Sequence, residues 1–122
     1  MTGFTAEAGA SGITARMGED KRTLLNAATA TGAGTAYELG RGIHSVFAWG
    51  KTSSGAGAAT INIEVSNDGT YWVVAGTFSL TLATTVTTGT NTDGFNINAG
   101  WKLVRANCTA ISGTGAQVTV TI

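Results

Sequence analysis

Residues 59–69 read ATINIEVSNDG, and the first eight of them alternate apolar and polar side chains without a break. Successive side chains of a β-strand point to opposite faces, so the alternation predicts a half-buried strand with Ile61, Ile63 and Val65 facing a core. The closing NDG favours a turn, because Asn and Asp cap turns locally and Gly accepts a positive φ. Residues 71–82 then return as a second strand, in which the adjacent Val73 and Val74 indicate a bulge or burial on both faces.

Similar short runs, separated by Gly, Ser, Asn and Asp, recur along the chain. Further strands are predicted at residues 22–28, 43–51, 101–111 and 117–122, with one or two more around residues 91–94. In the last two strands, the residues expected to share an inward face are Val104, Ala106, Cys108 and Ala110, and then Val118, Val120 and Ile122, with Thr119 and Thr121 outward. Roughly seven to nine strands about ten residues apart, with no helix-length amphipathic segment, favour an all-β, single-domain β-sandwich, jelly-roll-like, or a small barrel.

Residues 1–20 differ from the rest of the chain in composition and in periodicity. They are rich in Gly, Ala and Thr and show no sustained period of 2 or 3.6 residues, which predicts an extended N-terminal arm preceding a domain at residues 21–122. The isolated apolar residues Phe4, Ile13 and Met17 are candidate contacts of this arm with a partner.

The composition excludes several classes of function. Only 11% of residues are charged, against about a quarter in an ordinary soluble domain, and the formal net charge is zero. The sole basic pair, Lys21-Arg22, offers no surface for nucleic acid. No apolar run is long enough to span a membrane, and the first twelve residues do not resemble a secretory signal. We therefore expect a soluble protein that is used without export, with a weakly charged exterior suited to packing against copies of itself.

The side chains that could carry chemistry are few. His44 is the single histidine, and its neighbour Ser45 points to the opposite face of the predicted strand, so the two cannot form a nucleophile pair. Cys108 lies on an apolar strand face, where a thiol is inert. One His and one Cys do not make a zinc site, and a calcium site at Asn67, Asp68 and Asp93 is less favoured than two turns. We expect no enzyme activity, no metal and no cofactor.

The aromatic residues are the remaining candidates for contacts. Phe47 and Trp49 are two residues apart and share a strand face, where they would form a protein interface or a platform for stacking sugars. Trp72 and Trp101 are expected in the core, because the chain has few other large side chains to fill it.

Three short stretches carry a resemblance to known proteins. EVSNDGTYW, residues 64–72, is similar to a hairpin of discoidin-like jelly-roll modules, and together with WKLVRA at 101–106 and SGTGAQVTV at 112–120 it resembles small structural proteins of tailed-bacteriophage virions. The likeness covers residues 59–122. It implies a capsid decoration (cement) protein, a homotrimer on the phage head whose partners are its own copies and the major capsid protein, made in the host cytoplasm.

Two other functions stay open. A carbohydrate-binding module would use loop aromatics with Asn or Asp near the turn, and Trp49→Ala would abolish its binding. A head-completion or tail subunit would assemble into a ring or tube instead of trimers.

Overall fold

The computed structural model describes residues 22–86, 90–98 and 100–122, and within them every regular element is a β-strand. The predicted arm with Phe4, Ile13 and Met17 lies outside this part of the chain. The nine strands are β1 (Thr23–Ala28), β2 (Gly32–Ala33), β3 (Tyr37–Glu38), β4 (Ile43–Lys51), β5 (Ser54–Ser66), β6 (Val73–Leu82), β7 (Thr92–Asn98), β8 (Leu103–Thr114) and β9 (Gln117–Thr121).

The strands form two antiparallel sheets. One has the order β1-β9-β4-β7, and the other has the order β2-β8-β5-β6, with β3 also paired to β8. Because β2 and β3 pair with successive parts of β8, they act as one interrupted edge strand. Each sheet then has four strand positions, and the chain crosses between the sheets in the manner of a jelly roll. The predicted β-sandwich is confirmed, as two packed sheets and not a closed barrel.

The core lies between the two sheets. Ile61, Ile63 and Val65 of β5 are fully buried, as the alternation predicts, and Val118 and Val120 of β9 face them from the other sheet. Rings from both sheets meet as well, since the Phe78 and Phe95 centroids are 4.9 Å apart. Gly76 leaves the space that the Phe95 ring occupies, because a Cβ there would overlap the ring. Burial of these apolar side chains is the main source of the sandwich's stability.

Bulges interrupt the alternation in β6 and β8, and further register shifts lie between β1 and β9 and near the start of β5. Ile63 pairs with Gly76 and Glu64 with Val74, so Ala75 is the extra residue of β6. Val73 and Val74 are 51% and 50% exposed, so the bulge is present and burial on both faces is wrong. In β8, Thr60 pairs with Ala110 and Ile61 with Cys108, which leaves Thr109 unpaired.

The β8 bulge corrects one prediction. Ala110 is exposed and does not share the buried face of Val104, Ala106 and Cys108, because the extra residue turns it outward. In β9, Thr119 lies opposite Trp49 on the outer side as expected, yet it is buried, and the Ala27 amide donates to its Oγ1 at 3.0 Å.

The loops are distributed between the two ends of the sandwich. At one end of the sandwich, strands β3, β5, β7 and β9 end and strands β4, β6 and β8 begin. The backbone pairs Glu38–Leu103, Val65–Val73 and Ile43–Asn98 each join the end of one strand to the beginning of its neighbour. Chain segments far apart in sequence therefore meet at this end. The described chain also enters here, since Arg22 exchanges backbone hydrogen bonds with Ile122.

Candidate functional site

A groove of about 550 Å³ opens among the loops at this end of the sandwich. We call it the loop groove, and its lining residues are Glu38, Leu39, Gly40, Arg41, Asn67, Asp68, Gly100, Trp101, Lys102 and Leu103. Its volume falls within the range of about 300–1,000 Å³ typical of small-molecule sites. The lining combines one aromatic residue, aliphatic side chains and charged groups of both signs.

The turn after β5 forms one wall of the loop groove. Ser66 Oγ accepts hydrogen bonds from the amides of Asp68 (3.2 Å) and Gly69 (2.9 Å), and it donates to Asp68 Oδ1 at 3.1 Å. Asp68 Oδ1 also accepts from the amides of Thr70 (2.8 Å) and Tyr71 (3.0 Å). Gly69 has a φ of 78°, which a side chain would disfavour. These contacts hold the wall in one conformation.

The same hydrogen bonds set the charge of Asp68. The Tyr71 amide, followed by that of Thr70, lowers the pKa of its carboxyl below the ordinary value, because both N–H groups favour the ionised form. Asp68 therefore stands in the loop groove as a carboxylate at neutral pH, able to accept hydrogen bonds from a ligand.

The connection between β7 and β8 forms the opposite wall. The Lys102 amide donates to Asn67 Oδ1 at 3.3 Å, which ties this connection to the turn. Trp101 lines the loop groove and is 36% exposed, so the prediction that it lies in the core is wrong. The physical reason is that β8 begins at Leu103, so Trp101 belongs to the loop and is not subject to strand alternation.

A second polar cluster lies on the outer side of the five-stranded sheet. Arg105 Nε donates to Glu64 Oε1 at 2.7 Å and Asn107 Nδ2 to Oε2 at 3.1 Å, while the guanidinium lies 4.1 Å from the Trp72 ring centroid. The prediction that Trp72 is a core residue is therefore wrong, because its ring packs outside the sheet against Arg105. In this cluster, which we call the Glu64 network, the polar groups satisfy one another and the arrangement is structural.

The outer side of the four-stranded sheet has a different character. Phe47 is 44% exposed and Trp49 is partly buried, and the strand register places both on this side. We call it the aromatic face, and its members are Ile43, Ser45, Phe47, Trp49 and Lys51 of β4, Thr92, Gly94, Asn96 and Asn98 of β7, and Gln117, Thr119 and Thr121 of β9. Among these described positions, Lys51 at the far end is the one charged side chain.

His44 and Cys108 both have structural surroundings. His44 Nε2 lies 3.0 Å from the Gly40 carbonyl oxygen, in a smaller groove of about 220 Å³, while Ser45 Oγ donates to Asn96 Oδ1 on the other side of the sheet. Cys108 is 1% exposed, and burial raises the pKa of its thiol. A buried thiol with a raised pKa is a poor nucleophile.

The oxygen ligands considered for calcium do not converge. Asn67 and Asp68 lie in the turn after β5, whereas Asp93 is near the start of β7, where its Oδ1 accepts from the Gly94 amide at 2.8 Å. Within residues 22–86, 90–98 and 100–122, no group of three or more His, Cys, Asp or Glu side chains could hold a metal ion. Over the same residues, no helix has the length and apolar character needed to cross a membrane.

Comparison with solved structures gives a match to a phage-derived protein. The fold is similar to the crystal structure of the SPBc2 prophage-derived protein YomS, with a TM-score of 0.53 and 18% sequence identity over 84% of this chain and 89% of that chain. At this identity the likeness concerns the fold. No protein-family model matches the chain, and the comparison with curated proteins found no match.

Of the predicted contact residues, the structure brings Phe47 and Trp49 together on the aromatic face. The sequence does not predict the loop groove, since its residues come from three separate segments. Its one sequence signal is the turn at residues 67–69, since Trp101 is assigned by the sequence to a strand and to the core.

Proposed function

We propose that the chain is a structural protein of a phage particle, most specifically a decoration protein that assembles with its own copies on the capsid surface. Three observations support this: the fold shared with the prophage-derived YomS, the motifs at residues 64–72 and 101–120, and the aromatic face. The aromatic face is the observation on which the proposal mainly rests, because its exposed aromatic and uncharged side chains suit contact between copies of this chain.

The aromatic face suits contact between identical copies. Its hydroxyl, amide and aromatic side chains present no charge near Phe47, so a second copy of the same face meets no like-charge repulsion. Aromatic residues are enriched in the buried centres of protein interfaces, whereas charged residues are depleted there. A partly exposed Phe beside Trp49 matches that composition.

The Glu64 network makes the other sheet a poorer interface. Its carboxylate and guanidinium already pair with each other and with Trp72, so covering them would remove water without adding partners. We therefore assign self-association to the four-stranded sheet. On a symmetric shell, many copies would then act together, and weak individual contacts would sum to firm attachment.

The proposal is tested by placing a charge at the centre of the aromatic face. We expect Phe47→Lys to weaken self-association at least about tenfold, because each copy would bury an unpaired ammonium group. Sedimentation of the purified protein over a range of concentrations measures this. Unfolding in urea, followed in parallel, shows whether the variant keeps its fold.

Ser79→Lys is the matched control, because Ser79 is exposed on β6 of the other sheet. It adds the same charge and should leave self-association unchanged. A monomeric wild-type protein, or equal effects of the two substitutions, would overturn the assignment of the interface.

The location on the particle needs a separate experiment. Electron microscopy of phage particles with and without the protein should show added density on the head, in threefold clusters for a decoration trimer. Density confined to a ring at the neck or to the tail would instead identify a head-completion or tail subunit.

A further inference from the structure

The loop groove has the chemical features of a binding site, and its lining shares no residue with the aromatic face. Its exposed aromatic residue, Trp101, lines the same groove as the carboxylate of Asp68 and the amide of Asn67, and Leu39 and Leu103 add apolar surface. A concave surface that combines an aromatic side chain with a few convergent polar groups is typical of small-molecule sites.

The charges of the loop groove indicate what it binds. Glu38 and Asp68 contribute two negative charges, and Arg41 and Lys102 contribute two positive charges. A groove with balanced charge gives no net attraction to a phosphate, a polyanion or a metal ion. It can, however, both accept and donate hydrogen bonds, which suits a neutral ligand with many hydroxyl groups.

The walls of the loop groove are already in place for such a ligand. Asp68 Oδ1 is engaged by the turn, and Oδ2 takes no part in those bonds. Asn67 uses its Oδ1 to accept from the Lys102 amide, a contact that does not involve its side-chain nitrogen. An acceptor and a donor are thus held in position before a ligand arrives, which reduces the entropy lost on binding.

We propose that the loop groove binds a neutral saccharide, with the apolar face of a sugar ring packed on Trp101 and its hydroxyl groups bonded to Asp68, Glu38 and Asn67. A sugar ring presents C–H groups on its faces and hydroxyl groups around its edge, which matches an aromatic side chain surrounded by polar groups. The groove is open at the surface, so it can take one or more units of a longer chain. The proposal places the sugar ring on Trp101 in the loop groove, whereas the sequence-based alternative placed it on Trp49 of the aromatic face.

The inference is tested by titrating the purified full-length protein with free, neutral oligosaccharides of glucose, galactose and N-acetylglucosamine, followed by calorimetry. Free oligosaccharides bind one groove at a time, so the result does not depend on the oligomeric state. We expect at least one of the three to bind and Trp101→Ala to weaken that binding at least about tenfold. Glu38→Ala, an exposed change on β3, should weaken it as well and guards against misfolding of the first variant.

Tyr71→Ala is the matched control, because Tyr71 is 80% exposed at the same end of the sandwich and does not line the loop groove. Its affinity should equal that of the wild type. Affinity that is nearly unchanged between low and high salt is also expected for an uncharged ligand. The inference is overturned if none of the three oligosaccharides binds, if Tyr71→Ala weakens binding as much as Trp101→Ala, or if binding falls steeply with salt.

Discussion

Asp68 organises the turn that joins β5 to β6, and it does so as a carboxylate. Its Oδ1 receives the amides of Tyr71 and Thr70 and the hydroxyl of Ser66, and the two amides hold the pKa of the carboxyl below its ordinary value. A carboxyl whose pKa is depressed in the folded protein contributes stability that is present above the unfolded pKa, near about 4, and is lost as the pH falls through the folded pKa.

This linkage predicts a pH-dependent difference between the wild type and Asp68→Asn. The amide keeps a hydrogen-bond acceptor but cannot be ionised, so the wild type should be the more stable protein at pH 7. The gap should shrink as the pH falls below about 4, because the wild-type carboxyl becomes protonated. Urea unfolding at a series of pH values measures both curves, with circular dichroism to confirm the fold. Parallel curves would contradict the role given to the charge of Asp68.

The turn itself was readable from residues 67–69, because Asn, Asp and Gly act on the adjacent backbone. The pairing of Asn67 with Lys102 was not, since the two residues are 35 positions apart and meet through the tertiary fold.

Isoleucines at two strand positions, one in β5 and one in β4, differ sharply in burial. Ile63 is fully buried on the inner face of β5, whereas Ile43, the same residue type at the start of β4, is 69% exposed. Both belong to predicted strands, but the alternation around residue 63 is unbroken, while Ile43 stands at a strand end next to the loops.

The difference in burial predicts that an Ile→Ala substitution lowers the free energy of unfolding by different amounts at the two positions. Ile63→Ala should lower the free energy of unfolding by about 2–5 kcal/mol, because it leaves a cavity between the sheets. Ile43→Ala serves as the matched control and should change it by less than about 0.5 kcal/mol. Urea unfolding at a protein concentration low enough to prevent association measures the free energy of unfolding of both variants. Similar losses from both variants would show that the core is misassigned.

Beyond a bulge, the alternation of apolar and polar residues no longer tells which side chains of a strand face the core. After Thr109 in β8, each side chain is displaced by one position relative to a regular strand, so Ala110 turns outward. In β6, the extra residue Ala75 places Val74 on the outer side opposite Glu64, while Val73, opposite the buried Val65, is exposed at the first position of the strand. A bulge depends on how two strands pair, and that pairing is non-local. The sequence of one strand therefore suggests a bulge, as the adjacent valines do, without fixing which residue is extra.

In the whole molecule, the two sheets have outer sides of opposite character. The five-stranded sheet carries the internally paired Glu64 network, and the four-stranded sheet carries the aromatic face. The loop groove lies at the end where the described chain enters at Arg22. The molecule thus has three distinct surfaces: the aromatic face, for which we propose self-association, the Glu64 network, whose polar groups pair with one another, and the loop groove, for which we propose a small ligand.

Residues 1–20 are predicted to act as an attachment arm that the domain does not need for folding. Deleting them should change the free energy of unfolding by less than about 0.5 kcal/mol, since the described core is built from strands that begin at Thr23. The deletion should also reduce co-sedimentation of the protein with capsids that lack it, because the predicted arm carries the candidate contact residues Phe4, Ile13 and Met17.

A full-length variant with Phe4, Ile13 and Met17 all changed to Ser is the companion to the deletion, because it keeps the length of the segment and removes its apolar side chains. It should show the same reduction in capsid binding. Co-sedimentation equal to that of the wild type for both proteins would refute the arm's role.

The composition, the alternation of residues 59–66 and 117–122 and the regular spacing of the short runs predict an all-β domain, a sandwich or a small barrel, because the two-residue period of a strand is a local property and burial follows from it. The exposure of Trp72 and Trp101 and the position of the loop groove depend on which distant segments the fold brings together. Glu38, Asp68 and Trp101, for example, are 30 to 63 positions apart in the sequence. The local period of the sequence does not determine which loops the fold brings to the same end of the sandwich. The exposure of the two tryptophans and the position of the loop groove therefore follow from the packing of the two sheets.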